Sequence, residues 1–484
     1  MKRLILGALL FFAGVQNLFA QPWTKFLDLP ISFTVYPTCL FSDSANESLL
    51  IGGRFTLLNN APYFGIAKYT SDSIYQLGCG IDWNCILPPF PSLIYVNSVT
   101  TVDSAIYVTG NFFWAGNTPA QSFAKWNGQQ WSSCGSGLWR NTITRGTGLV
   151  LKEIENELYV GGIFDSAFGQ QVNSLIKFDG QNWSDVHQFP KYAPAGSDGA
   201  VYAIEKFQDK LYVAGHFYSG LGQNDLSNIA MFDGNNWVRV GDGITNPNDF
   251  IIDMAVYKDQ LIVAGQFPKN SHPNNPGNHI AAWDGSQWKS LGDASQDFGV
   301  FGHQNASITK LLVHGDYLYV CGNFYRAGGV PATNIARWDG KNWCSLATGF
   351  NSVMSNEVVL SMGFFGDTLF AVGAFLSYDG DSTKRFALKL PNPDSYATNC
   401  SVVGINSNDI EEPLLSPNPT TGIISWNTQE SIHDVLIFDY QGRLIQSYPN
   451  LAQPSLDVSA LPPGLYLLKF NMNGATHSSR LIKQ

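Results

Sequence analysis

The sequence predicts an all-β protein: a seven-bladed β-propeller of four-stranded blades, its last blade closed by an N-terminal strand, followed by a small C-terminal β-sandwich. Three observations carry that expectation. Seven apolar stretches end in Gly-x-Phe: "LLIGGRF", "IYVTGNF", "LYVGGIF", "LYVAGHF", "LIVAGQF", "LYVCGNF" and "LFAVGAF". Five stretches place two aromatic residues around an Asn-Gly or Asp-Gly, from "WNGQQW" to "WDGKNW". The composition, 47 Gly, 24 Pro and 13% aromatic residues against 14% charged, suits a turn-rich β-protein and not a helical bundle.

The chain opens with "MKRLILGALLFFAGVQNLFA", a basic pair (Lys2, Arg3), an apolar run and a small residue at Ala20. That pattern predicts a signal peptide over residues 1–20, cleaved on export. The alternative, a membrane anchor, needs roughly 20 apolar residues, and the run from Leu4 to Val15 is shorter. No later segment reaches that length, so no transmembrane segment is expected in the mature chain.

The repeated glycines, Gly53, Gly110, Gly162, Gly215, Gly265, Gly322 and Gly373, recur about every 53 residues, a propeller-blade length. Each unit divides into strands a to d. In the fifth, "IIDMAVYKD" turns into "QLIVAGQF", and after a loop "HIAAWDG" turns into "SQWKSLG". Short apolar runs separated by Asp, Asn and Gly are the expected signal of hairpins. In the first unit, "KYTSDSIYQLG" puts Tyr69 and Tyr75 in the two aromatic roles. The seventh unit lacks strand d, while the N-terminal "QPWTKFLDL" resembles the strand d of other units. Pairing the two chain ends in one sheet removes the exposed edges of an open array. The propeller is therefore placed at residues 21–392.

An apolar strand ending in glycine, an aromatic on c and a tryptophan at the start of d together resemble the kelch-like propellers. Paired glycines survive only at Gly52-Gly53 and Gly161-Gly162, and Phe follows one residue later throughout. Residues 393–412 read as a polar linker. Residues 413–484 contain Pro417-Asn418-Pro419 with Gly422, Asp439 with Gly442-Arg443, Leu461-Pro462 with Gly464 and Tyr466, and a basic-aliphatic end from Arg480 to Lys483. That order resembles the C-terminal sorting domain of the type IX secretion system of certain Gram-negative bacteria. The resemblance implies the secretion machinery as partner and a destination outside the cell or on the outer-membrane surface.

The net charge of -10 and the absence of a basic run argue against a nucleic-acid partner. Seven cysteines leave at least one unpaired; Cys79 and Cys85 are the leading pair, with free buried thiols as the alternative. In four-stranded antiparallel blades the b/c and d/a connections share one face, and here they vary, as "PKNSHPNNPGNH" against "YRAGGVPATN" illustrates. Variable loops on a rigid scaffold are the usual seat of binding.

The residue between Gly and Phe falls at that face, which makes Arg54, Asn111, His216, Gln266 and Asn323 candidate ligand contacts, or else solvated strand ends. Trp83, Trp114 and Trp139 lie outside the repeated aromatic slots and are candidates for stacking on sugar faces. His216, His272, His279 and His303 map to the same face, but no convergent ligand set is legible, and no metal or cofactor is expected. "DGDST" at Asp379 to Thr383 lacks the later Glu of a calcium loop. No nucleophile elbow, Walker loop or zinc-protease signature is present. The leading expectation is a secreted or surface binding protein whose ligand is a glycan, a protein or an envelope component. The alternative is an extracellular glycan hydrolase or lyase acting at the propeller channel.

Overall fold

A computed structural model describes residues 23–30, 36–71, 73–81, 95–140, 144–187, 189, 199–218, 226–292, 299–302, 305–350, 357–395, 415–426, 431–439, 443–451, 453–472 and 475–484. The expected signal peptide, Trp83, Cys85, His303, Cys400 and Gly442 lie outside these residues. The chain divides into two compact units, Met1–Val402 and Val403–Gln484.

The first unit is all-β and propeller-like. Each repeat forms one four-stranded antiparallel sheet in the order a-b-c-d. The a strands are Tyr36–Asp43, Tyr95–Val102, Thr147–Ile154, Ala200–Phe207, Phe250–Tyr257, Ser307–His314 and Val358–Phe365. They define sheets 1 to 7. Each a strand lies against those of the adjacent sheets, and that of sheet 7 lies against that of sheet 1. There Leu40 N–H donates to Ser361 Oγ at 3.0 Å and Phe364 N–H to Ser42 Oγ at 2.8 Å. In sheet 7 the outermost strand is Thr24–Lys25, paired antiparallel with Ala387–Pro391.

The Gly-x-Phe signature has a physical cause. Every a strand carries a β-bulge one residue after its opening pair, as at Val201/Ala203 and Ile251/Asp253. The bulge presses backbone against the glycine of strand b. A Cβ on Gly215 would lie 1.9 Å from the Ala200 carbonyl oxygen, and one on Gly265 would lie 2.0 Å from that of Phe250. Larger residues are excluded by collision with backbone. The following Phe is core in all seven sheets, at most 3% exposed.

At the c/d turns the acid works through its side chain. Asp179 Oδ1 accepts from the N–H groups of Gln181 (2.8 Å) and Asn182 (2.7 Å), while Gly180 alone takes the positive φ of 97°. Asn127, Asp233, Asp284 and Asp339 do the same.

The d-strand tryptophans are wedges between sheets. Trp131 Nε1 donates to Leu77 O at 2.8 Å, and Trp183, Trp288 and Trp343 donate to Cys134, Val240 and Leu291 at 3.1 Å. Trp23 closes the series, fully buried and bonded to Leu346 O at 2.8 Å. In each case the acceptor stands three residues beyond the wedge position of the preceding sheet. Trp237 is the exception: its Nε1 is buried without a partner among the described residues, and Phe189 packs edge-on at 4.9 Å. Trp131, Trp237 and Trp343 are buried, and Trp183 and Trp288 half-buried.

Sheet 1 corrects the sequence assignment. Tyr69 pairs with Ile74 and Thr70 with Ser73, the same register as Phe178 with Trp183 elsewhere. The c/d turn is therefore of ordinary length, and Ile74 holds the wedge position. Tyr75 points away and is 52% exposed.

The second unit has a three-stranded and a four-stranded sheet sharing a core of Ile424, Trp426, Val435, Ile437, Leu468, Phe470 and Leu481. The motif residues have structural roles: Arg443 Nε meets Asp439 Oδ2 at 2.8 Å, Tyr466 OH donates to Pro462 O at 2.9 Å, and Asn418 Oδ1 accepts from Ile482 N–H at 2.8 Å.

Candidate functional site

The b/c and d/a connections meet through added β-pairing. The d/a strands Leu138–Arg140 and Thr144–Arg145 join the b/c hairpin of sheet 3, where Trp139 pairs with Ser166. Between sheets 5 and 6, Phe301 pairs with Arg326 in the same way. Bridges link Ile81 to Ala115 and Phe350 to Tyr378. The b/c connections are more alike than the sequence comparison of units 5 and 6 suggests: units 1, 2, 3 and 6 share a hairpin with two paired residues on each side.

Arg54, Asn111, His216, Gln266 and Asn323 each end a b strand opposite the first residue of strand a, and all are half-buried. They differ in what they already do. His216 Nε2 sits 3.1 Å from Pro247 O with its ring stacked on Phe250 at 4.3 Å, so it supports the loop. Asn111 Oδ1 is buried and lacks a hydrogen-bond partner among the described residues, an acceptor whose burial costs about 1–3 kcal/mol until a donor reaches it. Trp114 opens the hairpin of sheet 2, paired with Pro119 and half-buried. Trp139 donates its indole N–H to Ser136 O at 2.7 Å and pairs with Arg145.

Sequence reasoning missed two groups. Phe113, 47% exposed, carries the Arg145 guanidinium over its ring at 3.9 Å, which builds a cation–aromatic platform beside Asn111 and Trp139. Arg326 also lies over an aromatic ring, Phe301 at 5.3 Å, but at the pair equivalent to Ser166 and Trp139. Only Arg145 and Phe113, 32 positions apart, had to be joined, and nothing in the repeat pattern joins them. The second group is the bulged residues of the a strands, Thr38, Asn97, Leu149, Tyr202, Ile252, Thr309 and Leu360, half-buried at equivalent places. Thr38, Asn97 and Thr309 hydrogen-bond to the next a strand, at Val96 O (2.5 Å), Gly148 O (2.8 Å) and Val359 O (2.6 Å).

Charged groups on the a strands pair between neighbouring sheets, Lys152 with Glu205 at 2.6 Å and Lys310 with Asp253 at 3.0 Å. Among the described residues no group of three or more His, Cys, Asp or Glu is placed to hold a metal. His279 is a core residue: it takes φ 64°, and its Nδ1 accepts from Phe267 N–H at 3.2 Å. Asn228 and Asn334 serve Phe217 and Phe324 likewise. Burial lowers the His279 pKa to about 4. Cys39, Cys134 and Cys321 are free thiols, and burial raises Cys39 and Cys321 to about 12, which makes them unreactive. Cys79 and Cys344 are disulfide-bonded.

Residues 415–484 match the family described as the secretion system C-terminal sorting domain. The chain therefore ends in a type IX sorting tail. That tail implies engagement of the secretion machinery and a secreted or cell-surface protein. Among the described residues no helix is long and apolar enough to cross a membrane. No curated protein matches the chain. Among solved structures it is similar to the extracellular domain of a protein from B. thetaiotaomicron described as a hybrid two-component system, at TM-score 0.45 and 12% identity over 96% of this chain and 57% of that one. Another, the extracellular domain of a protein from the same organism described as a one-component system, gives TM-score 0.41 and 11% identity over 96% of this chain and 58% of that one. The chain thus spans under two thirds of the length of either.

Proposed function

We propose that residues 21–392 form a closed, kelch-like seven-bladed propeller behind a cleaved signal peptide, joined through a linker at 393–412 to the sorting domain at 413–484. Outside the cell this propeller acts as a binding or adhesion module. Its ligand is a glycan, a protein or an envelope component, held on the face where b/c and d/a connections meet.

The observation that carries this reading is the exposed Phe113 ring capped by Arg145, whose strand partner is Trp139. A planar ring and a guanidinium on braced loops offer stacking and charge with little ordering cost. Arg54 and Gln266 extend the contact surface. His216, Asn323 and Trp114 act mainly by shaping the loops.

The test is a glycan-array and envelope-fraction binding screen of the full mature chain, with a hydrolysis assay on every glycan that binds. Binding without turnover, weakened at least tenfold by F113A or R145A, is the expected result. Hydrolysis of a bound glycan, or binding indifferent to both substitutions, would overturn it.

A further inference from the structure

The first and seventh sheets meet at a seam unlike the others. Elsewhere an indole fills the space between adjacent sheets. In sheet 1 that position is Ile74, and a solvent-open, mainly polar cavity of about 490 Å³ remains, lined by Phe26, Asn59, Tyr63, Tyr69, Ser73, Ile74 and Lys389. The volume is that of a small-ligand site. Phe26 stands three residues beyond Trp23, the place that supplies the indole acceptor at other seams.

The walls are rigid. Phe26 packs edge-on against Tyr69 (5.2 Å) and Phe370 (4.5 Å), and Tyr69 also meets Phe365 at 5.4 Å. Tyr63 takes the place of Ala120 of sheet 2 and Ala332 of sheet 6, and its hydroxyl donates to Ile74 O at 2.9 Å. Asn59 Oδ1 accepts from Asp28 N–H at 2.7 Å, which fixes the carboxamide with its Nδ2 as the remaining donor. The nearby carboxylate of Asp28 is neutralised by Lys25 at 2.5 Å, and no described carboxylate pairs with Lys389.

We propose that this seam cavity binds an acidic sugar residue, a uronic-acid-type saccharide. Its hydroxyls meet Asn59, Ser73 and the polar edge of the tyrosines, and its carboxylate pairs with the Lys389 ammonium. The polar rim favours a saccharide over the other chemistry the slot suggests, an indole ring. Asn59 and Tyr63 belong to the b/c hairpin of sheet 1, and neither Phe113 nor Arg145 lines the cavity, so the two sites answer to different substitutions.

The experiment is titration of the full mature chain with a galacturonate trisaccharide, the matching neutral galactose trisaccharide and N-acetyltryptophanamide. The acidic sugar is expected to bind at least tenfold more tightly than the neutral one. K389Q should erase that difference. The double variant Y63A/I74W, which rebuilds the wedge of the other seams, should abolish binding of both sugars, whereas F113A should leave it unchanged. No binding of the acidic sugar, a preference that survives K389Q, or binding of N-acetyltryptophanamide alone overturns the proposal.

Discussion

The seam between sheets 5 and 6 and the seam between sheets 7 and 1 are built on the same backbone register and filled differently. At the first, Trp343 is 1% exposed and tied to Leu291 O at 3.1 Å. At the second, Ile74 stands in the wedge position, Tyr63 replaces a small residue, and a cavity stays open. Aromatic mass has moved from strand d to the b/c hairpin. The strand geometry is the constant of this fold, and the occupant of each slot is what distinguishes one seam from the next.

The largest effect should come from removing the wedge that joins the chain ends. W23A deletes a fully buried indole and its bond to Leu346, a loss of about 3–5 kcal/mol for a residue of this size. Thermal melting of W23A should fall well below that of the parent. An unchanged melt would mean that the pairing of Thr24–Lys25 with sheet 7 contributes nothing to closure.

The positive-φ slot before strand c gives a second contrast, His279 against Asn228 and Asn334. His279 has its folded pKa lowered from an ordinary value near 6.5 to about 4, so its neutral form stabilises the fold above that ordinary value. The contribution is lost as pH falls through 6.5 toward 4, on the order of 3 kcal/mol at the acid end. H279N keeps the acceptor and tolerates the backbone, so at pH 4 it should melt above the parent. Parallel melting curves from pH 7 to pH 4 would show instead that His279 does not titrate with unfolding.

A smaller gain is expected where the exceptional seam is made ordinary. I74W alone, which adds an indole without removing Tyr63, should raise the melting temperature, with on the order of 1–2 kcal/mol of added apolar burial. A lower melting temperature would show that Tyr63 already fills the slot better than an indole would. The smallest effect separates two wedges. Replacing Trp343 by Phe loses a hydrogen bond, whereas replacing Trp237 by Phe removes an unsatisfied N–H, so W343F should be the less stable of the two by about 1 kcal/mol. Equal melting points would count against the inter-sheet bond.

Much of this was legible in the sequence because the constraints are local and repeated. Gly-x-Phe marks a bulge that admits no Cβ, and Asp-Gly marks a side-chain-capped turn, so both recur wherever the backbone does. Ile74 was misread because tyrosine at 75 looks like the wedge when only residue type is compared; register, which fixes Tyr69 opposite Ile74, is a property of pairing. Phe113 and Arg145 were invisible for another reason: their contact depends on a d/a connection folding onto its neighbour's hairpin, which no periodicity encodes. The sorting tail was readable as a run of motif residues, of which Asn418, Asp439, Arg443 and Tyr466 fasten particular turns or strand ends.

The pairing of Thr24–Lys25 with Ala387–Pro391 also sets an order of events. In a chain made from its N-terminus the first strand is complete hundreds of residues before its partner exists, and pairing at so large a separation is intrinsically slow. Phe26 and Lys389 come together only when those strands pair, so a ligand held in the seam cavity would report that pairing.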